Sequence, residues 1–398
     1  MKKTGLWIAA AALIVAGGIG LIIGLRSSYH TMRYRSYLAD ADSEADQAAL
    51  VAAEDAAKEE SAITGEIVES EEEDAATGEV KTLTLSATGD CTLGVTQEQG
   101  YSGTFDEYYD DYGEDYFFDG VRDIFAQDDL TIINLECVLS TSEDQQEKAY
   151  NLKGKPEYVG ILTGGSVEAC SMGNNHTYDY GEEGFDETVS VVENAGITYA
   201  YTGSPGMFIS DEGVRVGIVS ASLLSESEET VDTMKEEIRS LQDDGAEVIV
   251  ACCHWGIEKE YEPTEFQRSS AHALIDAGAD LIIGNHPHVL QGVEVYEGKV
   301  ICYSLGNFCF GGNMDPEDKN TMIYQQTFTI VGGELQTGEI DADIIPCRIS
   351  SSDGYNDFQP MVASGETKDN IIQLVNEYSA AVGTTSFDAE GKLLASGQ

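Results

Sequence analysis

The chain has 398 residues, and its 21 Lys and Arg stand against 72 Asp and Glu for a formal net charge of −51. A surface of that sign repels phosphate backbones and anionic lipid, which argues against nucleic acid as a partner. An anionic substrate would need positive charge beside it, and bound metal ions are one source.

Lys2 and Lys3 precede an uncharged apolar run from Leu6 to Leu25. As a helix it would be about 30 Å long, the thickness of a bilayer core. A cleaved signal peptide is the competing reading, with Ala9 to Ala12 as its small-residue site. The apolar run continues well past those alanines, so residues 1–36 are read as a retained single-pass anchor with its flanks. Arg26, Arg33 and Arg35 lie on the far side, so positive charge does not set the orientation. The short N-terminus and long acidic remainder favour a domain on the outer side of the cell membrane. Residues 37–80 are rich in Ala, Glu and Asp and nearly lack aromatics. Such a segment cannot bury enough apolar surface to order itself, and it reads as an acidic disordered linker.

From Lys81 the texture changes, and residues 81–350 read as the domain proper. Short β-branched runs (TLTLSA, TIINL, VRVGIVSA, EVIVACC, DLIIGN, KVICYS) alternate with helical patterns such as EGFDETVSVVENAG, DTMKEEIRSLQDDG and EFQRSSAHALIDAG. Gly196 and Gly278 stand where helix C-caps belong. Near-continuous apolar strands separated by helices predict an α/β domain whose sheet is covered on both faces. QQTFTIVGGELQTGEIDADIIPCRI reads as a hairpin around a Gly turn. Residues 351–398 form a C-terminal extension in which NIIQLVNEYSAAV predicts an amphipathic helix against the domain edge. Most of the eight cysteines sit inside apolar runs without CxxC spacing, so they read as small buried hydrophobes rather than as a disulfide frame.

Polar groups recur where these strands end. TLTLSATG runs into Asp90, TIINL into Glu136, ACSMGN into Asn175 and His176, VIVACC into His254, and DLIIGN into His286 and His288. The carboxyl edge of an α/β sheet is where loops converge over a ligand crevice. Four of the six histidines fall in these segments. Each motif alone has an ordinary explanation: a turn or helix cap for Asp90, a backbone-bonded carboxylate for Glu136, turn chemistry for Asn175-His176, a satisfied half-buried ring for His254. Together they make a set of O and N donors suited to Mn, Fe or Zn. Pro287 fixes the backbone between two imidazoles that can approach neighbouring cations.

GD at Asp90, NLE at Glu136, GNNHTYDYGEEGFDET (Gly173 to Thr188), HWGIEKEY (His254 to Tyr261), GADLIIGNHPHVLQ (Gly278 to Gln291) and YSLGNFCF (Tyr303 to Phe310) resemble the CapA family of capsule and poly-γ-glutamate synthesis proteins over roughly residues 83–312. That family resembles the calcineurin-like metallophosphoesterases, so the resemblance implies a four-layer α/β sandwich with two bridged divalent metal ions. It implies Asp90 and His288 on one metal, Asn175, His254 and His286 on the other, and Glu136 bridging. His176 then stands where a leaving group is protonated or the substrate is clamped. Asp179 either orients that ring or caps the following helix. Lys153, Tyr261 and Asn307 are candidate substrate contacts, Lys153 with an ordinary surface lysine as the alternative. Three departures stand out, the first being Glu136 where many relatives of the superfamily use Asp. Asp90 is followed by Cys91 and Thr92 where an Asp-x-His pair is usual, and Val95 replaces the Arg that many relatives carry.

The implied function is capsule or poly-γ-glutamate synthesis or export through a two-metal hydrolase site, with an anionic polymer or phosphoester as substrate and membrane-embedded synthesis subunits as partners. A metal-dependent phosphodiesterase or phosphatase and a non-catalytic polyanion-binding subunit are the alternatives.

Overall fold

The computed structural model describes residues 78–96 and 99–394. The expected anchor and the linker up to residue 77 lie outside them. Among the described residues no helix is long and apolar enough to cross a membrane.

The fold is mixed α/β with several sheets. The first large sheet is built around β1 (Val80–Thr92), which is parallel to β2 (Leu130–Leu135); β3 (Ala169–Ser171) and β4 (Thr198–Ala200) continue that side. The second sheet holds β5 (Gly206–Ile209), β6 (Arg215–Ser222), β7 (Val248–His254), β8 (Leu281–Asn285), β9 (Val293–Tyr296) and β10 (Lys299–Cys302), in the order β9-β10-β8-β7-β6-β5. The chain then returns to the first sheet. Here β11 (Asn307–Phe310) pairs in parallel with the end of β1, and β12 (Asn320–Val331) runs antiparallel along its whole length. The predicted hairpin is present: β12 turns at Gly332-Gly333, pairs briefly with Glu334–Leu335, and pairs at length with β13 (Asp341–Arg348).

Alternation along the strands explains why they look uniformly apolar. Val248, Val250 and Cys252 of β7 face the core between the sheets, with Leu83 and Leu85 of β1. Ile249, Ala251 and Cys253 face the other way, against Val231, Met234 and Ile238 of α3 (Glu228–Asp243) and Leu274 of α4 (Glu265–Ala277). The outer face of the first sheet is covered likewise, with Phe105 of α1 (Phe105–Tyr112) and Phe185 and Val192 of α2 (Gly181–Asn194). Gly278 ends α4 in the left-handed region, as the sequence predicts, and a capping box of Thr264 and Gln267 starts it. The C-terminal helix α5 (Gly365–Val382) sinks Ile371, Ile372 and Val375 into the inter-sheet core. All eight cysteines are free and buried.

Candidate metal centre

The strand ends deliver their polar groups to one place because the backbones approach unusually closely there. A Cβ on Gly89 would lie 2.0 Å from the Gly306 carbonyl oxygen, so only glycine lets β1 and the turn before β11 meet. The pairing of β1 with β2 shifts register between Ala87 and Asp90, and such a bulge re-aims a side chain. Asp90 ends beside Asn134 of β2 and Asn307 of β11. On the second sheet, His254 is the last residue of β7 and is paired with Asn285, the last of β8. His286 and His288 follow with φ of 96° and 57°, values that side chains other than glycine rarely adopt. Strained backbone of this kind accumulates at ligand clamps.

Two donor sets result, and they share one residue. Asp90, Glu136 and His288 bring ligand atoms within 4.8 Å of one another, and so do Glu136, His254 and His286. Asn175 joins the second set, its Oδ1 lying 2.7 Å from His254 Nε2. The imidazole Nε2 atoms of His176, His254 and His288 stand 3.8, 3.7 and 3.9 Å from Glu136 Oε1. Neither carboxylate oxygen of Glu136 has a hydrogen-bond partner, although the residue is fully buried, and His286 Nδ1 is also unpartnered. A buried carboxylate without a donor is strongly disfavoured unless a cation answers it. These residues therefore fit divalent cations.

Proton affinities show the same imbalance. Burial, then the neighbouring Asp90, push the Glu136 carboxyl well above its ordinary value. Burial would raise Asp90 too, but the His288 contact at 3.0 Å outweighs it and brings Asp90 down to about 2. Burial pulls His288 down, yet Glu136 and Asp90 together hold it up at about 9. A proton on His288 thus answers the buried carboxylates, and a cation binding there would displace it. Burial, followed by repulsion from the neighbouring imidazoles, depresses His254 well below its usual range and His286 to about 4, leaving both neutral as ligands require.

His176 lies on the rim of this cluster. Its Nδ1 is 2.7 Å from Asp179 Oδ2. Asp179 is buried; it accepts from the Leu152 amide at 2.5 Å and is in ion-pair contact with Lys148. Helix α2 is preceded by Tyr180 without a side-chain cap, so Asp179 serves the imidazole and not the helix end.

A model of the bacterial capsule synthesis protein family PGA_cap matches residues 84–312. The chain belongs to the PGA_cap family. Capsule biosynthesis protein CapA of Bacillus anthracis is 30% identical over 253 residues, 57% of this chain and 60% of that protein. PGA biosynthesis protein CapA of Bacillus subtilis is 31% identical over 224 residues, 50% of this chain and 57% of its own length. The alignment thus spans less than two thirds of either relative. The crystal structure of a novel phosphatase from Mycoplasma pneumoniae overlaps distantly, at 12% identity and a TM-score of 0.42 over 67% of this chain and 95% of that one.

Within the PGA_cap region, the three expected substrate contacts go to different places. Asn307 is at the centre and donates from Nδ2 to the His288 carbonyl at 3.3 Å. Lys153 is the register partner of Val95, but its ammonium donates to Ser142 O and Glu143 Oε1 at 2.7 and 3.0 Å and lies over the Tyr180 ring. Tyr261 donates to Asp318 at 3.2 Å. Cys91 is buried and does not belong to any of the groups whose ligand atoms converge here. Four residues that the sequence analysis passed over matter here. Asn134 donates to Asp90 Oδ1 at 2.8 Å and reaches His254 Nδ1 at 3.4 Å. Asn174 ties the Asn134 side chain to the His176 amide. Lys148 also donates to the Asn175 carbonyl at 2.9 Å. Glu258 places a carboxylate oxygen with His286 and His288, all within 4.8 Å.

Proposed function

We propose that the chain is a membrane-anchored, extracytoplasmic protein of capsule or poly-γ-glutamate synthesis or export, acting through a metallophosphoesterase-type centre for two divalent cations. One observation carries this reading: the buried, unpartnered Glu136 belongs to both donor sets. Asp90, Glu136 and His288 would hold one cation, and Glu136, Asn175, His254 and His286 the other. Mn, Fe and Zn all suit such mixed donors. Cations bound there would supply positive charge for an anionic substrate oxygen and would acidify a nearby water. In a chain of net charge −51 that local charge is what admits an anionic polymer or phosphoester.

The protein's own groups do the rest. Asp179 fixes the His176 ring through Nδ1, which leaves Nε2 facing Glu136 at 3.8 Å. From there the imidazole can give a proton to a departing oxygen or nitrogen. Asn134 holds Asp90, and Asn307 holds the His288 backbone, so both ligands are oriented from behind. Membrane-embedded synthesis subunits are the proposed partners of the anchored chain.

A non-catalytic subunit that grips a polyanion is the second reading. Cys91 and Thr92 favour it, since Thr92 donates to the Glu136 carbonyl at 3.2 Å and Cys91 stands outside the group of Asp90, Glu136 and His288. Metal content and hydrolysis of a generic phosphodiester and a γ-glutamyl substrate, measured on the full chain and on His176→Ala, separate the two. The expected result is stoichiometric metal in both proteins and turnover lower by about 10²- to 10⁴-fold in the variant. Stoichiometric metal without turnover in either would leave the binding reading, and undiminished turnover in His176→Ala would remove the proton donor.

A further inference from the structure

Of the three carboxylates at the centre Glu258 is exposed, while Asp90 and Glu136 are buried, as are His254 and His286. It stands four residues after His254, on the loop that leaves β7. That loop is not free to wander. Gly256 and Lys259 turn it with φ of 79° and 64°, and the Lys259 amide donates to the Pro287 carbonyl at 2.8 Å. The Glu260 carbonyl accepts from Gln291 Nε2 at 2.8 Å, and Gln291 is itself held by Gln267 at 2.9 Å, both glutamines being fully buried. The backbone on the C-terminal side of Glu258 is thus pinned to the His286-Pro287-His288 turn. Its carboxylate oxygen shares a neighbourhood of 4.8 Å with the ligand nitrogens of His286 and His288. His286 Nδ1, on a residue more than nine-tenths buried, has no partner in the protein.

We infer that Glu258 is an exchangeable ligand of the centre: its carboxylate meets His286 of one donor set and His288 of the other, and an incoming anion displaces it. A centre that acts on a ligand keeps one position open to exchange. A buried donor could not be exchanged without opening the core. An exposed carboxylate on a fixed backbone can swing into solvent. Charge points the same way. Two divalent cations bring four positive charges, while Asp90, Glu136 and Glu258 bring three negative ones, so moving Glu258 aside raises the positive charge that meets an arriving phosphate or carboxylate.

The inference rests on the two-cation reading above, and Mn2+ with inorganic phosphate tests them apart. Binding of Mn2+ to the full chain is titrated calorimetrically for wild type, Glu258→Gln and Glu258→Asp, and phosphate is then titrated into each Mn2+-loaded protein. Glu258→Gln is expected to weaken one Mn2+ site by about tenfold or more and leave the other within about twofold, with Glu258→Asp in between. Phosphate is expected to bind the Mn2+-loaded Glu258→Gln chain more tightly than wild type, by about threefold or more, because its internal competitor is gone. A surface carboxylate that touches neither cation would change neither affinity. Two Mn2+ sites unchanged in Glu258→Gln would overturn the inference and leave the two-cation reading standing. A weakened site with phosphate affinity unchanged or lower would overturn the exchange. A wild-type chain that binds no Mn2+ would sink both readings.

Discussion

At Glu136 the requirements of folding and of ligand binding oppose each other. The carboxyl is fully buried and its proton affinity is pushed well above the ordinary value, first by burial and then by Asp90. Glu136→Gln removes the charge but keeps the shape. The variant should therefore melt higher than wild type in chelator while binding both cations more weakly, since both donor sets lose their shared negative charge. A lower melting temperature in chelator would mean that Glu136 stabilises the fold by itself. Away from the centre, burial raises Glu168 to about 7 and Asp128 to about 6, although Glu168 accepts from the Thr131 amide at 2.8 Å. Both values lie above those of an unfolded chain, so the folded state holds these protons more tightly. Their contribution is complete at low pH and is lost as pH rises through about 6 and about 7. Melting curves in chelator should show Glu168→Gln gaining on wild type as pH goes from about 6 to about 8, and an equal pH slope in the two would contradict this.

The strands delivered what their apolar runs promised, and the reason is visible in β7. Each face of it meets a separate core, so its sequence lacks alternation, and its first charged or polar residue marks the sheet edge. Asp90, Glu136, His254, His286 and His288 were legible for that reason. Asn134 was not, because an amide within TIINL reads as strand interior until the bulge in β1 brings Asp90 against it. Glu258 and Lys148 lie in polar loops where charge is the ordinary composition, and only tertiary contacts single them out. The same bulge depends on Gly89. Gly89→Ala would drive a methyl into the Gly306 carbonyl at 2.0 Å, backbone against backbone, and should cost more than about 4 kcal/mol in denaturant unfolding. Thr264→Ala, which loses only the capping box of α4, should cost about 1 kcal/mol in the same measurement.

At the scale of the molecule, the family match ends at residue 312, but the fold does not. β12 begins at Asn320 and covers β1 from Val80 to Ala87, and α5 fills the inter-sheet core with Ile371, Ile372 and Val375. A chain cut after residue 312 would leave the strand that carries Asp90 with an open hydrogen-bonding edge and an apolar floor. It should aggregate on expression and show no cooperative melt; a soluble, cooperatively melting product would contradict this. The cysteines carry a different consequence. With all eight thiols sealed in the cores, and those of Cys91, Cys252 and Cys347 lifted to about 12, none is available as thiolate to an oxidant or a shuffling enzyme. Once folded, such a domain keeps the same covalent state in a reducing or an oxidising medium.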